Sequence, residues 1–492
     1  MQNIPEIKLG IVAVSRDCFP IELSQTRRRR VMEACREPTV PVVEIETVIE
    51  NEDDVLKALD EAGRKGINAL AIYLGNFGPE GPTTLLAEKF GGPVMLVAAA
   101  EDSGHDLRNG RGDAYCGLLS ASYNLGLRRL RAHIPEYPVG DASEVARMLA
   151  EFIPIARVVA GVRNLKIICF GPRPFDFLTC HAPIQPLFDL GVEVMENSEL
   201  DLYDIVQAEK GSPDIKRISD EMSAELGQGN TYPEVLEKMA HLESALNRFM
   251  QEKAGASKYI AFANKCWPAF EKYFGHVPCY VNGRLAARGI PVACEADIYG
   301  ALSEYMVACA TRLPPTLLDI NNSVPKDMYA ACSDMVGDYA LSDLWMGFHC
   351  GNTSAQCLVE PVLRYQLIMH RLLEADQAPN ITRGTLEGQI KPGPISIFRI
   401  QSTSDARIQS YVANGEVLDV DPRSFGSIGV FAIREMGRFY RHVLIEKRFP
   451  HHTAVAFRPA AGTLFAACRM LGVDDLFFNR PRGLYYPTEN PF

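Results

Sequence analysis

The chemistry of this sequence starts from two carboxylates. Glu295 lies in Gly289-Ile290-Pro291-Val292-Ala293-Cys294-Glu295-Ala296-Asp297-Ile298, and Asp319 in Leu317-Leu318-Asp319-Ile320-Asn321-Asn322. Each follows a short apolar run, the pattern by which a strand end presents an acid at the rim of a sheet. They stand 24 positions apart (319 − 295), room for one helix and two turns between neighbouring parallel strands. Two carboxylates side by side in a partly buried mouth repel unless one keeps a proton or a cation lies between them. A divalent ion is the simplest remedy. Spacing alone fits helix caps or salt-bridge partners as well; the histidines single the pair out. The chain has 10 histidines in 492 residues, yet His349 lies in Met346-Gly347-Phe348-His349-Cys350-Gly351-Asn352, and His451 and His452 stand adjacent before Thr453-Ala454-Val455-Ala456-Phe457. Imidazole with carboxylate suits manganese, iron, cobalt or zinc.

The Cys294-to-Ile298 block, the later Asp319, Thr385-Leu386-Glu387-Gly388 with Lys391-Pro392-Gly393-Pro394 following, and His451-His452-Thr453 come in a telling order. In that order and spacing the chain resembles the L-fucose isomerase and L-arabinose isomerase superfamily. The resemblance implies an aldose-ketose isomerase working through a cis-enediol on a divalent metal, most often manganese. It makes Glu295 and Asp319 both metal ligands and the acid/base pair. It also places the late histidine ligand at His451-His452, with His452, the residue before the threonine, favoured as the ligand and His451 as a substrate contact, and leaves the choice between the two open. His349 is similar to the additional histidine ligand of the arabinose isomerase branch, although its Gly-Phe-His-Cys-Gly-Asn setting departs from that branch and leaves a structural histidine as the alternative. Asn352, Thr385 and Glu387 are candidate hydroxyl contacts. A homo-oligomer, up to a hexamer, is implied as well.

The substrate is left open among L-fucose, L-arabinose and hexoses altered at C6, a 6-sulfonated one included, since all present the same O1 and O2. Arg16, Arg111 and Arg173 are candidates to clamp an anionic C6 group, with structural ion pairs as the alternative. Trp267 and Tyr299 could offer aromatic faces to a sugar, with Lys265 in reach of a hydroxyl, or could be core packers. A non-catalytic sugar-binding or regulatory paralogue is the competing reading, and a metal-dependent hydrolase is disfavoured by the lack of H-E-x-x-H and G-x-S-x-G.

The elements that must position these residues belong to an ordinary globular chain, 47% hydrophobic and 23% charged, long enough for several domains. A net charge of −11 excludes a basic nucleic-acid face. The run Arg27-Arg28-Arg29-Arg30 sits in an apolar-periodic segment and reads as a solvated helix face or subunit contact. No apolar run reaches membrane-spanning length. Thirteen scattered cysteines without CxxC pairs, and a start without an export core, fit reduced thiols in the cytoplasm.

Strand and helix patterns alternate from Ile7–Val14 through Val42–Ile45, Ala69–Leu74 and Pro93–Ala98, and restart at Leu165–Gly171. This predicts two doubly wound, Rossmann-like α/β domains, at 1–160 and 161–348. No glycine-rich nucleotide fingerprint accompanies them. Period-two runs at Ile395–Ile400, Arg407–Val412, Gly415–Val420 and Thr453–Phe457, separated by Gly, Asn and Asp turns, predict a β-rich C-terminal domain over 349–492.

Overall fold

Continuous apolar runs make buried parallel strands, and the computed structural model, which describes residues 3–36, 39–366 and 383–490, has two such sheets. The chain divides into two compact units. The smaller comprises residues 5–160 with 466–472. Its strands β1 (Leu9–Val14), β2 (Val42–Ile49), β3 (Ala69–Leu74), β4 (Val94–Ala99) and β5 (Val139–Gly140) stand in the order β2-β1-β3-β4-β5, all parallel. This is a doubly wound order, and every residue of β1, β3 and β4 is buried, as strands covered on both faces must be. The arginine run departs from the solvated-face expectation. Arg27 and Arg28 are buried and bind Glu101 and Glu44 at 2.6 and 2.8 Å, whereas Arg30 meets Asp102 at the surface.

The larger unit comprises residues 1–4, 161–465 and 473–492. It contains a parallel sheet of β6 (Leu165–Gly171), β7 (Glu193–Ser198), β8 (Tyr259–Ala263) and β9 (Val292–Ala293), in the order β7-β6-β8-β9. Its second sheet has nine strands: β10 (Thr316–Ser323), β11 (Leu344–His349), β12 (Leu358–Tyr365), β13 (Arg383–Ile390), β14 (Gly393–Ser402), β15 (Ile408–Leu418), β16 (Ser427–Ala432), β17 (His452–Ala456) and β18 (Asp475–Phe478). Their order is β12-β13-β16-β11-β10-β17-β14-β15-β18, mostly antiparallel. The division at 348/349 thus falls inside one sheet, because β10 and β11 pair with strands from the end of the chain.

Two expectations are corrected. Glu295 and Asp319 are not on adjacent parallel strands. β9 is a two-residue stub that offers β10 almost no edge, and the chain passes through the buried Ile298–Thr311 helix into the other sheet. There β10 pairs antiparallel with β11 and β17. The turn expected at Asn414, between the run 407–412 and the one opening at Gly415, is absent too. Both residues lie within β15, Gly415 opposite Ile395, and a Cβ on Gly415 would collide with the Ala432 carbonyl of β16. The glycine admits a close neighbouring strand.

Candidate active site

Register brings the metal-binding residue types together. In the ladder of β10 with β17, Asp319 stands directly opposite His452, and β11 on the other side of β10 ends at His349. Glu295 arrives from the other sheet in a tight turn after β9, where Glu295 and Ala296 both take left-handed backbone conformations, φ 61° and 58°. Consecutive non-glycine residues there carry strain that the surroundings must hold. Asn264 does part of this by accepting the Ala296 N–H at 2.7 Å.

The result is a small ring of donors. His452 Nε2 lies 3.2 Å from Glu295 Oε2 and 3.4 Å from Asp319 Oδ1, and His451 Nε2 is 3.5 Å from the same Asp319 oxygen. The rings of His349 and His452 are 6.0 Å apart between centroids. On its other side His452 is fixed. Its Nδ1–H donates to Asp297 Oδ2 at 2.8 Å, and Arg399 donates to both oxygens of Asp297 at 2.6 and 2.9 Å. Asp297 also caps the Ile298–Thr311 helix by accepting the Gly300 N–H at 2.8 Å. All three side chains of this relay are fully buried. A carboxylate only accepts, so His452 carries a proton on Nδ1, and its Nε2 faces Glu295 and Asp319, where it offers a lone pair once the second proton has left.

Charge follows from this packing. Burial alone would lower the pKa of His452, but Cys180, Asp297 and Glu295 outweigh it and hold it well above the ordinary imidazole value. Burial pushes Glu295 up, and the three histidines around it more than reverse that. Asp297 is likewise driven down despite its burial, by Arg399 and His452. Burial lowers His349 and His451. Behind the ring, Glu304 is buried in the helix that Asp297 caps, and burial with the nearby Asp297 charge raises its pKa to about 8.

The donors fit a divalent ion. His452 Nε2 and Asp319 Oδ1 are buried without a hydrogen-bond partner, which is costly unless something else satisfies them. Glu295, His451 and His452 form one candidate ligand group within 4.8 Å, and Asp319, His349 and His452 another. Separations of 3.2 and 3.4 Å approach the roughly 3 Å between adjacent donors on an ion bound at about 2.1 Å.

The remaining candidates divide. Trp267 packs on Phe175 and Phe177, and Phe177 stands edge-on to His451 at 5.5 Å, so an aromatic wall leads to the donor ring. Arg173 begins the loop that bears Phe177 and Cys180. Its guanidinium reaches His181 Nδ1 at 3.5 Å, and its Nε is buried without a partner. Asn352 donates to the Leu317 carbonyl at 3.4 Å and keeps Oδ1 unpartnered; Thr385 Oγ1 is buried and unpartnered too. Glu387 is on β13, where the next residue, Gly388, pairs with Ser427 of β16, which pairs in turn with His349 of β11. Arg16 finds its partners within the smaller unit: Glu80 at 3.5 Å, the Gly78 carbonyl and the Phe77 ring. Arg111 pairs with Asp113. Lys265 is a buried ion-pair partner of Glu199 at 3.1 Å instead of a sugar contact, and Tyr299 is a packed ring whose hydroxyl donates to the Pro183 carbonyl instead of an open platform.

Sequence reasoning missed Asp297, Arg399, Cys180 and Glu304. The signal for two of them was present: Asp297 directly precedes an apolar helix, where a cap belongs, and Arg399 interrupts the apolar strand Ile395–Ile400, where an arginine requires a buried acid. Cys180, with Sγ 3.7 Å from His452 Nδ1 and 4.0 Å from Glu295, gave none.

Comparison with known proteins bears on the same site. Residues 10–163 match the N-terminal domain of fucose/sulfoquinovose isomerases and residues 347–477 the C-terminal domain of L-fucose isomerase. A sulfoquinovose isomerase of Alkalicoccus urumqiensis is 25% identical over 319 residues, 64% of this chain and 65% of that protein, just under two thirds of its length. One of Priestia aryabhattai is 22% identical over 479 residues, 94% of this chain and 97% of its own, and one of Priestia megaterium aligns to the same extent. With a terminal domain of one family at each end and the acids and late histidine between and within them converging on one ring, the chain belongs to the L-fucose isomerase superfamily of aldose-ketose isomerases.

Proposed function

We propose that this chain interconverts an open-chain 6-sulfonated hexose and its 2-ketose through a cis-enediol, with Glu295, Asp319 and His452 as the protein ligands of a divalent ion, manganese by preference. One observation carries the reading: a buried His452 Nε2 and Asp319 Oδ1 lack partners, face one another, and have Glu295 beside them. A bound divalent ion would supply the positive charge that an enediolate needs as it develops. The carboxylates of Glu295 and Asp319 are the groups that take the proton from C2 of the aldose and return it to C1.

His349 differs from the other histidines. The Cys350 backbone N–H donates to its Nδ1 at 2.9 Å, so the neutral ring carries its proton on Nε2. We read it as a donor to a sugar oxygen, not as a fourth ligand. Phe177, itself packed on Trp267, stands edge-on to His451 and lines one side of the ring of donors. Arg173, with an unsatisfied Nε in the loop that borders the ring, suits a sulfonate at the far end of the sugar. The names of the relatives favour that substrate over a neutral one.

All thirteen cysteines are free thiols, in keeping with a reducing, cytoplasmic setting. No helix among the described residues is long and apolar enough to cross a membrane. The family resemblance favours a homo-oligomer.

The deciding experiment assays a panel of aldoses, with a 6-sulfonated glucose beside L-fucose and L-arabinose, with and without added manganese. Turnover confined to the sulfonated sugar, abolished by chelation and lowered about 10²–10⁴-fold in Glu295→Gln and Asp319→Asn, supports the assignment. Near-normal exchange in either variant with metal present refutes it.

A further inference from the structure

A cavity of about 610 Å³ opens in the larger unit beside the helix Leu236–Lys253 and shares no residue with the donor ring. Three lysines from separate elements line it: Lys210 after the helix Glu199–Ala208, Lys238 on Leu236–Lys253 and Lys272 on Phe270–Phe274. Gly275 makes room for one of them. Its φ of 71° suits glycine, and a Cβ there would stand 3.1 Å from Lys238 Nζ. Among the described residues none of the three ammonium groups has a carboxylate partner. Two acids also line the cavity, Glu234 and Glu237. Glu234 is taken by Arg383 at 3.5 Å, so three cations face one free carboxylate, an excess of two. The histidines of the wall add no charge at neutral pH. Burial lowers the pKa of His241 against the pull of Glu237 and Glu209, and burial pushes that of His276 down to about 4.

Aromatic rings complete the wall. Tyr203 stands edge-on to Tyr273 and to Phe274 at 6.4 and 5.5 Å, and Tyr273 is 59% exposed. Lys272 Nζ lies 5.2 Å from the Tyr273 centroid, so charge and ring are presented together. We propose that this cavity binds a nucleoside monophosphate, its phosphate among the three ammonium groups and its base against the tyrosines. Like charges held close repel unless an opposite charge lies between them. A phosphomonoester carries about two negative charges at neutral pH, which matches the excess on the wall. An inorganic anion would leave the rings without a partner, and a neutral sugar would leave the lysines without one. Ammonium groups take phosphate as point charges and bases stack on aromatic faces, so the site needs no glycine-rich loop. The volume falls in the range of roughly 300–1,000 Å³ usual for small-molecule sites. None of this depends on the isomerase chemistry proposed above.

Titration calorimetry of the full chain, without added metal, tests it. AMP is expected to bind with a submillimolar Kd, and adenosine and inorganic phosphate each about tenfold or more weaker. Lys210→Ala and Lys238→Ala are each expected to weaken AMP about tenfold or more. Tyr273→Ala should weaken AMP by about tenfold and leave inorganic phosphate unchanged. All three side chains are exposed, so the variants should keep a native circular dichroism spectrum. Asp319→Asn, which alters the donor ring, should bind AMP as the wild type does. The proposal is overturned by the absence of saturable AMP binding, by inorganic phosphate binding as tightly as AMP, or by wild-type AMP affinity in the lysine or Tyr273 variants. AMP binding lost in Asp319→Asn would put the ligand at the donor ring and refute it equally.

Discussion

Asp297 touches no sugar in the proposed chemistry, yet it sets what His452 can do. It orients the ring, fixes the proton on Nδ1 and neutralises Arg399, which is 0% exposed. Asp297→Asn keeps the shape and removes the charge. It is expected to cost about 3–5 kcal/mol in denaturant unfolding, because a buried guanidinium loses its counter-charge. Manganese affinity measured by titration calorimetry should fall about 10–100-fold. His452 itself holds a proton in the metal-free protein, its pKa being raised well above the imidazole range. An ion must displace that proton, so binding should release close to one proton, and affinity should rise up to about tenfold per pH unit while His452 remains protonated. Calorimetry in buffers of different ionisation enthalpy reads the proton directly. Glu304 shows the opposite linkage. An acid with its folded pKa raised to about 8 from 4.5 holds a proton in the folded chain that the unfolded chain has released. Stability is therefore lost as pH rises through that window, on the order of a few kcal/mol in all. Glu304→Gln, neutral at every pH, should flatten the slope in pH-dependent unfolding and leave the protein more stable than wild type at pH 8. At this scale Glu295, Asp319 and the histidine pair were readable because apolar flanks and rarity mark them. Arg399 was not, because its partner lies 102 residues earlier and only the folded chain joins them.

Most strands of the α/β sheets were legible from continuous apolar runs; Ala69–Leu74 and Leu165–Gly171 emerge with the same ends in the structure. Pairing was not. An apolar run ending in an acid looks the same whether it closes a parallel sheet, as β9 does, or crosses the middle of an antiparallel one, as β10 does. What separates the two is the length of edge on offer, and that depends on strands more than a hundred residues away. Glycine carried the same ambiguity: at 415 it reads as the start of a new strand and is instead a mid-strand point of β15 where β16 comes close. Gly415→Ala must push β15 and β16 apart and is expected to cost about 1–3 kcal/mol or more, seen as a lower midpoint in denaturant. Because the displaced ladder lies away from β10 and β17, manganese affinity should stay within about threefold of wild type, which distinguishes this lesion from Asp297→Asn.

Within the larger unit the proposed ligands tie two sheets together. Glu295 follows the parallel sheet, while Asp319 and His452 sit in the nine-stranded one. An ion bound there favours the folded form by mass action, about 2.7 kcal/mol at a hundredfold excess over its Kd. Hydrogen exchange should show this gain in β9, β10 and β17 and leave β1, β3 and β4 of the smaller unit unchanged; equal protection of both sets would mean that the ion binds elsewhere. The order of the donors along the chain also governs synthesis. Glu295 and Asp319 leave the ribosome at least 133 residues (452 − 319) before His452, so over that stretch of elongation the nascent chain offers the two carboxylates without that imidazole. On the proposed ligand set, the imidazole that would favour a transition metal over magnesium or calcium arrives when translation is nearly complete, so metal choice would wait for β17, the strand that His452 opens.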